Sequence, residues 1–222
     1  MKRIFVLFAV LGLALAARAD LVIQQQIVTP TYTTPATIKV KGTKVRVDMF
    51  NGQPQAMSTV VDLKTGDELM ILHLQRMFVK ASMPKPSGNS ATNTRPIQVH
   101  ATGKTQKLGS YDTELYTWSN PRGMTGIIWV AKNFPNFPQI KADLAVVDKS
   151  APADSTPALS TLPGMAVKTQ ITGGGQTITA TLLSATETPV DAASFQTPAG
   201  YREMPKPKPL PKVNASQKTA VK

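Results

Sequence analysis

The sequence predicts a mainly β fold with little helix, either all-β or α+β, and three observations lead there. Apolar residues recur with period two almost wherever a period can be read. Val45, Val47 and Met49, for example, alternate with Lys44, Arg46 and Asp48, the pattern of a half-buried strand. Turn signals such as Asn51-Gly52 and Gly173-Gly174-Gly175 separate these runs. Only the stretch between Pro138 and Pro152 carries apolar residues at helical spacing.

Taken in order, the elements begin after an N-terminal leader. Lys2 and Arg3 precede an apolar run from Ile4 to Ala16, and Ala17-Arg18-Ala19 places small residues at the cleavage-determining positions. This is the build of a secretory signal peptide. The run falls short of the roughly 18–20 apolar residues that span a bilayer, and no other stretch approaches that length. The expected organisation is a signal peptide over 1–19, one domain over 20–204 and a separate tail over 205–222, with no transmembrane segment in the mature chain. The expected location is the periplasm or the exterior. No cysteine stands near the cleavage site to accept a lipid.

Within the domain, Ala36 to Val40 and Thr43 to Phe50 read as strands joined at Gly42, and Met57 to Val61 resumes the alternation after Asn51-Gly52. Lys64-Thr65-Gly66-Asp67 turns the chain into Leu69 to Leu72, which is apolar at successive positions and therefore expected to be covered on both faces. Met77 to Ala81 follows. Residues 82–95, rich in Pro, Ser, Gly, Asn and Thr, read as a long exposed loop. A second group of strands is expected at Ile97 to Ala101, Lys104 to Leu108, Tyr111 to Ser119 and Thr125 to Ala131. Pro138 can start a helix on which Ile140, Leu144 and Val147 share a face, with Asp143 and Asp148 on its surface, and Pro152 stops it. A loop over 151–163, a hairpin of Met165 to Thr172 and Thr177 to Thr186, and a short segment from Asp191 to Phe195 complete the domain.

Composition narrows the function classes. The absence of cysteine removes disulfides, thiolate metal sites and thiol catalysis together. The formal charge of +12 is unevenly placed. The body from Asp20 to Met204 carries 17 basic and 13 acidic side chains, a net +4. Lys206, Lys208, Lys212, Lys218 and Lys222 stand in a tail that has no acid. Alternating prolines in Pro205-Lys206-Pro207-Lys208-Pro209 impose an extended, polyproline-like arm, which can contact an anionic envelope surface or equally serve as a solubilising end. Basic and aromatic residues do not interleave in the body, so nucleic acid is not an expected partner.

No motif for catalysis or metal binding is present, and neither enzyme activity nor a cofactor is expected. His73 and His100 each lack a second ligand or base at a motif spacing and read as structural residues. The glycine triplet joins two strand-like segments instead of preceding a helix, so it is a turn and not a phosphate loop. The apolar residues of the first meander are more informative. Met49, Met57, Met70, Leu72 and Phe78, with Trp118 and Trp129 from the second group, are candidate contacts for an apolar ligand, because unbranched thioethers adapt to variable shapes. The same residues also fill ordinary cores, and both readings stand at this level.

Several segments resemble a family of exported bacterial proteins, the domain of unknown function 4412 family, usually grouped with LolA-like lipoprotein and lipid carriers. They are Val40 to Met49, Val61 to Gly66, Thr102-Gly103-Lys104 with Gly109 and Tyr111, Trp129 to Lys132, and Phe195 to Tyr201. The resemblance implies a strongly curved antiparallel sheet, a half-open barrel whose concave face is closed by helix or loop. It implies a lipid or other apolar ligand in that concavity, and it carries no catalytic residues.

Overall fold

The computed structural model describes residues 19–50, 56–82, 97–151 and 155–205. The leader to residue 18, the Asn51-Gly52 turn, positions 83–95 of the long loop and the lysine-proline tail from residue 206 lie outside the described residues. The strands are β1 (Leu21–Val28), β2 (Thr33–Lys41), β3 (Lys44–Met49), β4 (Met57–Asp62), β5 (Asp67–Leu72), β6 (Met77–Ser82), β7 (Val99–Leu108), β8 (Tyr111–Ser119), β9 (Thr125–Ala131), β10 (Met165–Gly173), β11 (Gln176–Glu187) and β12 (Arg202–Glu203). Among the described residues a single α-helix, α1 (Phe137–Ser150), precedes β10.

All twelve strands form one open sheet in the order β12-β6-β5-β4-β3-β2-β1-β11-β10-β9-β8-β7. Every pairing is antiparallel except the short parallel contact of β12 with β6. The two meanders are joined where β1 pairs with β11, so the first and last long strands sit side by side at the middle of the sheet. A sheet of this many strands does not stay flat. Leu183, left unpaired where the β1–β11 register shifts, and Val167, left unpaired between β10 and β9, add bulges that bend it further.

Helix α1 lies in the resulting hollow. Phe137, Ile140 and Leu144 repeat at helical spacing and are buried against Leu21, Ile23 and Val40 on one side and Met165 and Val167 on the other. Pro138 occupies the first turn, where its missing N–H costs no helical hydrogen bond. The expected surface position of Asp143 is corrected, whereas Asp148 is half-buried and takes part in a cap. Asp143 is buried, and the Asp148 carboxylate accepts from the backbone N–H groups of Leu159 at 2.8 Å and Ser160 at 2.9 Å. These bonds fasten the chain that leaves the helix.

Three other expectations change. Ile97–Ala101 and Lys104–Leu108 are not two strands but belong to one, β7, broken by a bulge between Ala101 and Thr105 where Gly103 takes φ +70°. Strand β5 is not covered on both faces, since Ile71 is fully buried while Met70 remains 37% exposed. Strand β1, which local periodicity leaves unassigned, is central to the sheet. The mainly β fold with one helix is as the sequence predicts, and the open, curved antiparallel sheet is as the family resemblance implies.

Candidate functional site

The register of the first meander sorts its side chains onto two faces with different chemistry. One cross-strand row runs Ala36, Met49, Met57, Leu72, Met77, and the next runs Ile38, Val47, Thr59, Met70, Val79. Ile38 pairs with Ile23, and both line a small cavity with Leu144 and Val147 of the helix. The methionine rows therefore stand on the helix side of the sheet, immediately beside α1. Alternation along each strand makes this placement unavoidable once Val45 and Val61 are in the core.

Met49, Met57, Met70 and Leu72 are thus neighbours on one apolar surface, with Met77 continuing the row. The other sequence candidates are elsewhere. Phe78 pairs with Ile71 and faces the opposite side, packing with Phe195 and Tyr201. Trp118 lies over Gly126, where an added Cβ would come within 2.3 Å of the indole nitrogen, in a cluster with Ile128 and Leu162. Trp129 donates from Nε1 to Gln106 Oε1 at 2.7 Å, and Lys168 Nζ stands 4.7 Å from its ring centroid. The polar end of this indole is satisfied within the sheet. The five tail lysines from Lys206 to Lys222 lie outside the described residues.

The space beneath α1, bounded by Ile23, Ile38, Leu144, Val147 and Leu182, amounts to about 30 Å³. Ligand pockets are roughly ten times larger or more, so a long apolar chain does not fit beneath the docked helix. The methionines of these rows lie beside the helix, half-buried except for Met70, which is exposed.

On the opposite face the same strands hold a buried polar network that sequence reasoning missed. Asp48 and Ser58 are cross-strand partners, and Arg46 stands two residues before Asp48. Arg46 donates from Nε to Asp48 Oδ1 at 2.6 Å, from Nη2 to Ser58 Oγ at 2.9 Å, and from Nη1 to the Ser194 carbonyl. Ser58 donates its single proton to Asp48 at 2.5 Å and contacts His73 Nε2 at 2.8 Å, while His73 Nδ1 contacts the Tyr201 hydroxyl at 2.9 Å. One proton arrangement satisfies the set: Tyr201 donates to Nδ1, and Nε2–H donates to Ser58. The only cue in the sequence is the polar pair Arg46 and Asp48, whose burial depends on cover from residues about 150 positions away.

The Ser58–His73 distance is that of a nucleophile and its base, yet the surroundings are those of a clamp. Ser58 is fully buried, and its oxygen is occupied by Arg46 and Asp48. The carboxylate is bonded to the serine and not to the imidazole, unlike a catalytic triad. The network fastens the segment carrying Ser194 and Tyr201 onto the meander.

Burial, with Arg46 adding to it, holds the His73 pKa below the ordinary histidine value, while Asp48 opposes the shift. The folded state therefore favours neutral His73, and the unfolded chain binds a proton first on acidification. Stability is expected to be full above about pH 6.5 and to fall as pH drops through that value towards the lower folded pKa. Chemical unfolding followed between pH 8 and 5.5 checks this, with His73→Gln expected to flatten the slope. An unchanged slope in the variant would place the effect elsewhere.

The sequence matches the family described as "Domain of unknown function (DUF4412)" over residues 22–201. The chain belongs to this family. No curated protein matches it in sequence. Among solved structures, an uncharacterised conserved protein from Thermus thermophilus shares the fold at a TM-score of 0.51 and 10% identity, with 85% of this chain and 91% of that one covered. The lipoprotein LppX from Mycobacterium tuberculosis is more distant, at a TM-score of 0.42 and 10% identity over 79% and 90% of the two chains. A putative outer membrane lipoprotein-sorting protein domain from Vibrio parahaemolyticus aligns at 0.37 and 10% over 80% and 89%. Among the described residues no helix is long and apolar enough to cross a membrane.

Proposed function

We propose that this family member is an exported, non-enzymatic binding protein that holds an apolar chain against the helix side of its first meander. The observation that carries the reading is the register itself. Four strands contribute Met49, Met57, Leu72 and Met77 to one continuous row, with Val47, Met70 and Val79 beside it. Thioether side chains accommodate ligands of variable shape at little rotameric cost, and an apolar band next to a docked helix is a normal place for a small ligand. The leader directs the chain to the periplasm or beyond, where the lysine-proline arm would bring it to anionic surfaces. The saturated hydrogen bonding of Ser58 supports binding over hydrolysis.

Native mass spectrometry of mature protein recovered from its host's envelope fraction tests the proposal. A discrete adduct of lipid mass, removable by organic extraction, is expected. In Met57→Asp, which sets a carboxylate in the middle of the row, occupancy is expected to fall at least tenfold, with circular dichroism establishing that the variant is folded. A clean apoprotein mass under conditions that preserve other carriers' ligands would count against the reading.

A further inference from the structure

The methionine row ends at a cation. Strand β12 pairs in parallel with the free edge of β6, and the register sets Arg202 beside Met77 and Glu203 beside Phe78. Paired residues share a face, so Arg202 continues the row Met49, Met57, Leu72, Met77, whereas Glu203 stands on the other face, its carboxylate 4.0 Å from Lys80 Nζ. Arg202 is exposed and makes no ion pair among the described residues. Its backbone N–H donates to the carbonyl of Arg76 at 3.1 Å, which fastens β12 to this end of the row. No carboxylate occupies this row; of the acids on the same face, Glu68 lies in a different row with Val61 and Ala81, and Glu187 stands opposite Leu21.

Resting on the apolar-ligand reading above, we infer that the ligand is a monomeric amphiphile with an anionic head, its tail lying across Met77, Leu72, Met57 and Met49 and its head held by Arg202. The strand spacing makes the row from Met77 to Ala36 roughly 19 Å long, the length of a long saturated acyl chain. A guanidinium at the end of an apolar track offers paired N–H donors to a carboxylate or phosphate, the geometry arginine is suited to. The pattern gives direction as well as class, because only the edge-strand end of the row is charged.

The experiment compares binding of radiolabelled hexadecanoate and hexadecanol, each kept monomeric, at pH 8 and low salt, to the mature protein and to its Arg202→Gln and Arg202→Lys variants. The wild type is expected to bind hexadecanoate about tenfold more tightly than hexadecanol, a preference that shrinks as salt is raised. In Arg202→Gln the preference is lost while hexadecanol affinity is unchanged, and Arg202→Lys retains part of it. Equal affinities in the wild type, or a preference that survives Arg202→Gln, would overturn the head-group assignment and leave the apolar site standing. Failure of either probe to bind any folded form would overturn the apolar reading itself.

Discussion

Asp48→Ala is expected to lower the unfolding free energy by about 3–5 kcal/mol, the cost of leaving a buried charge without its partner. The Arg46 side chain is 7% exposed and that of Asp48 is 2% exposed, so water cannot replace the lost carboxylate. Ser58 would lose the acceptor of its proton, and the guanidinium would keep only Ser58 and the Ser194 carbonyl. Lys39, 3.5 Å from the same carboxylate, would also lose an interaction, but one screened by its partial exposure. Urea unfolding followed by circular dichroism measures the change. The double variant Arg46→Met, Asp48→Leu is expected to recover most of the loss, since apolar side chains of similar volume often replace a buried pair without penalty. A loss under about 1 kcal/mol in Asp48→Ala, the size of an exposed pair's contribution, would mean that solvent reaches the pair, and the C-terminal segment would then not be sealed over this face.

The face-by-face chemistry explains which elements are legible in the sequence. Strands β3 and β4 are legible because alternation and turn residues agree there, whereas β9 reads as a continuous apolar run because both its faces are buried, Ile128 and Val130 in one cluster and Trp129 and Ala131 in another. That agreement places Met49, Met57, Met70 and Leu72 together from the sequence alone. Phe78 belongs to the same short strand as Met77 yet faces the other way, and only the register separates them. Strand β1 is obscure because Gln24, Gln25 and Gln26 interrupt its alternation, and a bulge opposite them shifts the pattern by one residue. Strand β12 has two residues and no periodicity at all. Its position follows from the Phe195 and Tyr201 anchors, which are long-range contacts that no local pattern encodes. The arginine at the end of the methionine row is illegible for the same reason.

The helix supplies the second large effect. Leu144 is 1% exposed, packs with Leu21, Ile23 and Met165, and borders the cavity of about 30 Å³ beneath α1. Leu144→Ala removes buried methyl groups and enlarges a space that is already imperfectly filled, so a loss of about 2–5 kcal/mol is expected. For a domain of this size that corresponds to a melting temperature lower by roughly 4–20 °C. The same variant locates the ligand. A chain lying on the methionine row, beside the helix, should bind to folded Leu144→Ala with an affinity within about twofold of the wild type. A chain lodged beneath the helix would instead require α1 to undock, and weakening the docking would tighten binding by reducing that cost. Hexadecanoate titrations at a temperature where both proteins are fully folded separate the two arrangements, and the small volume beneath α1 favours unchanged affinity.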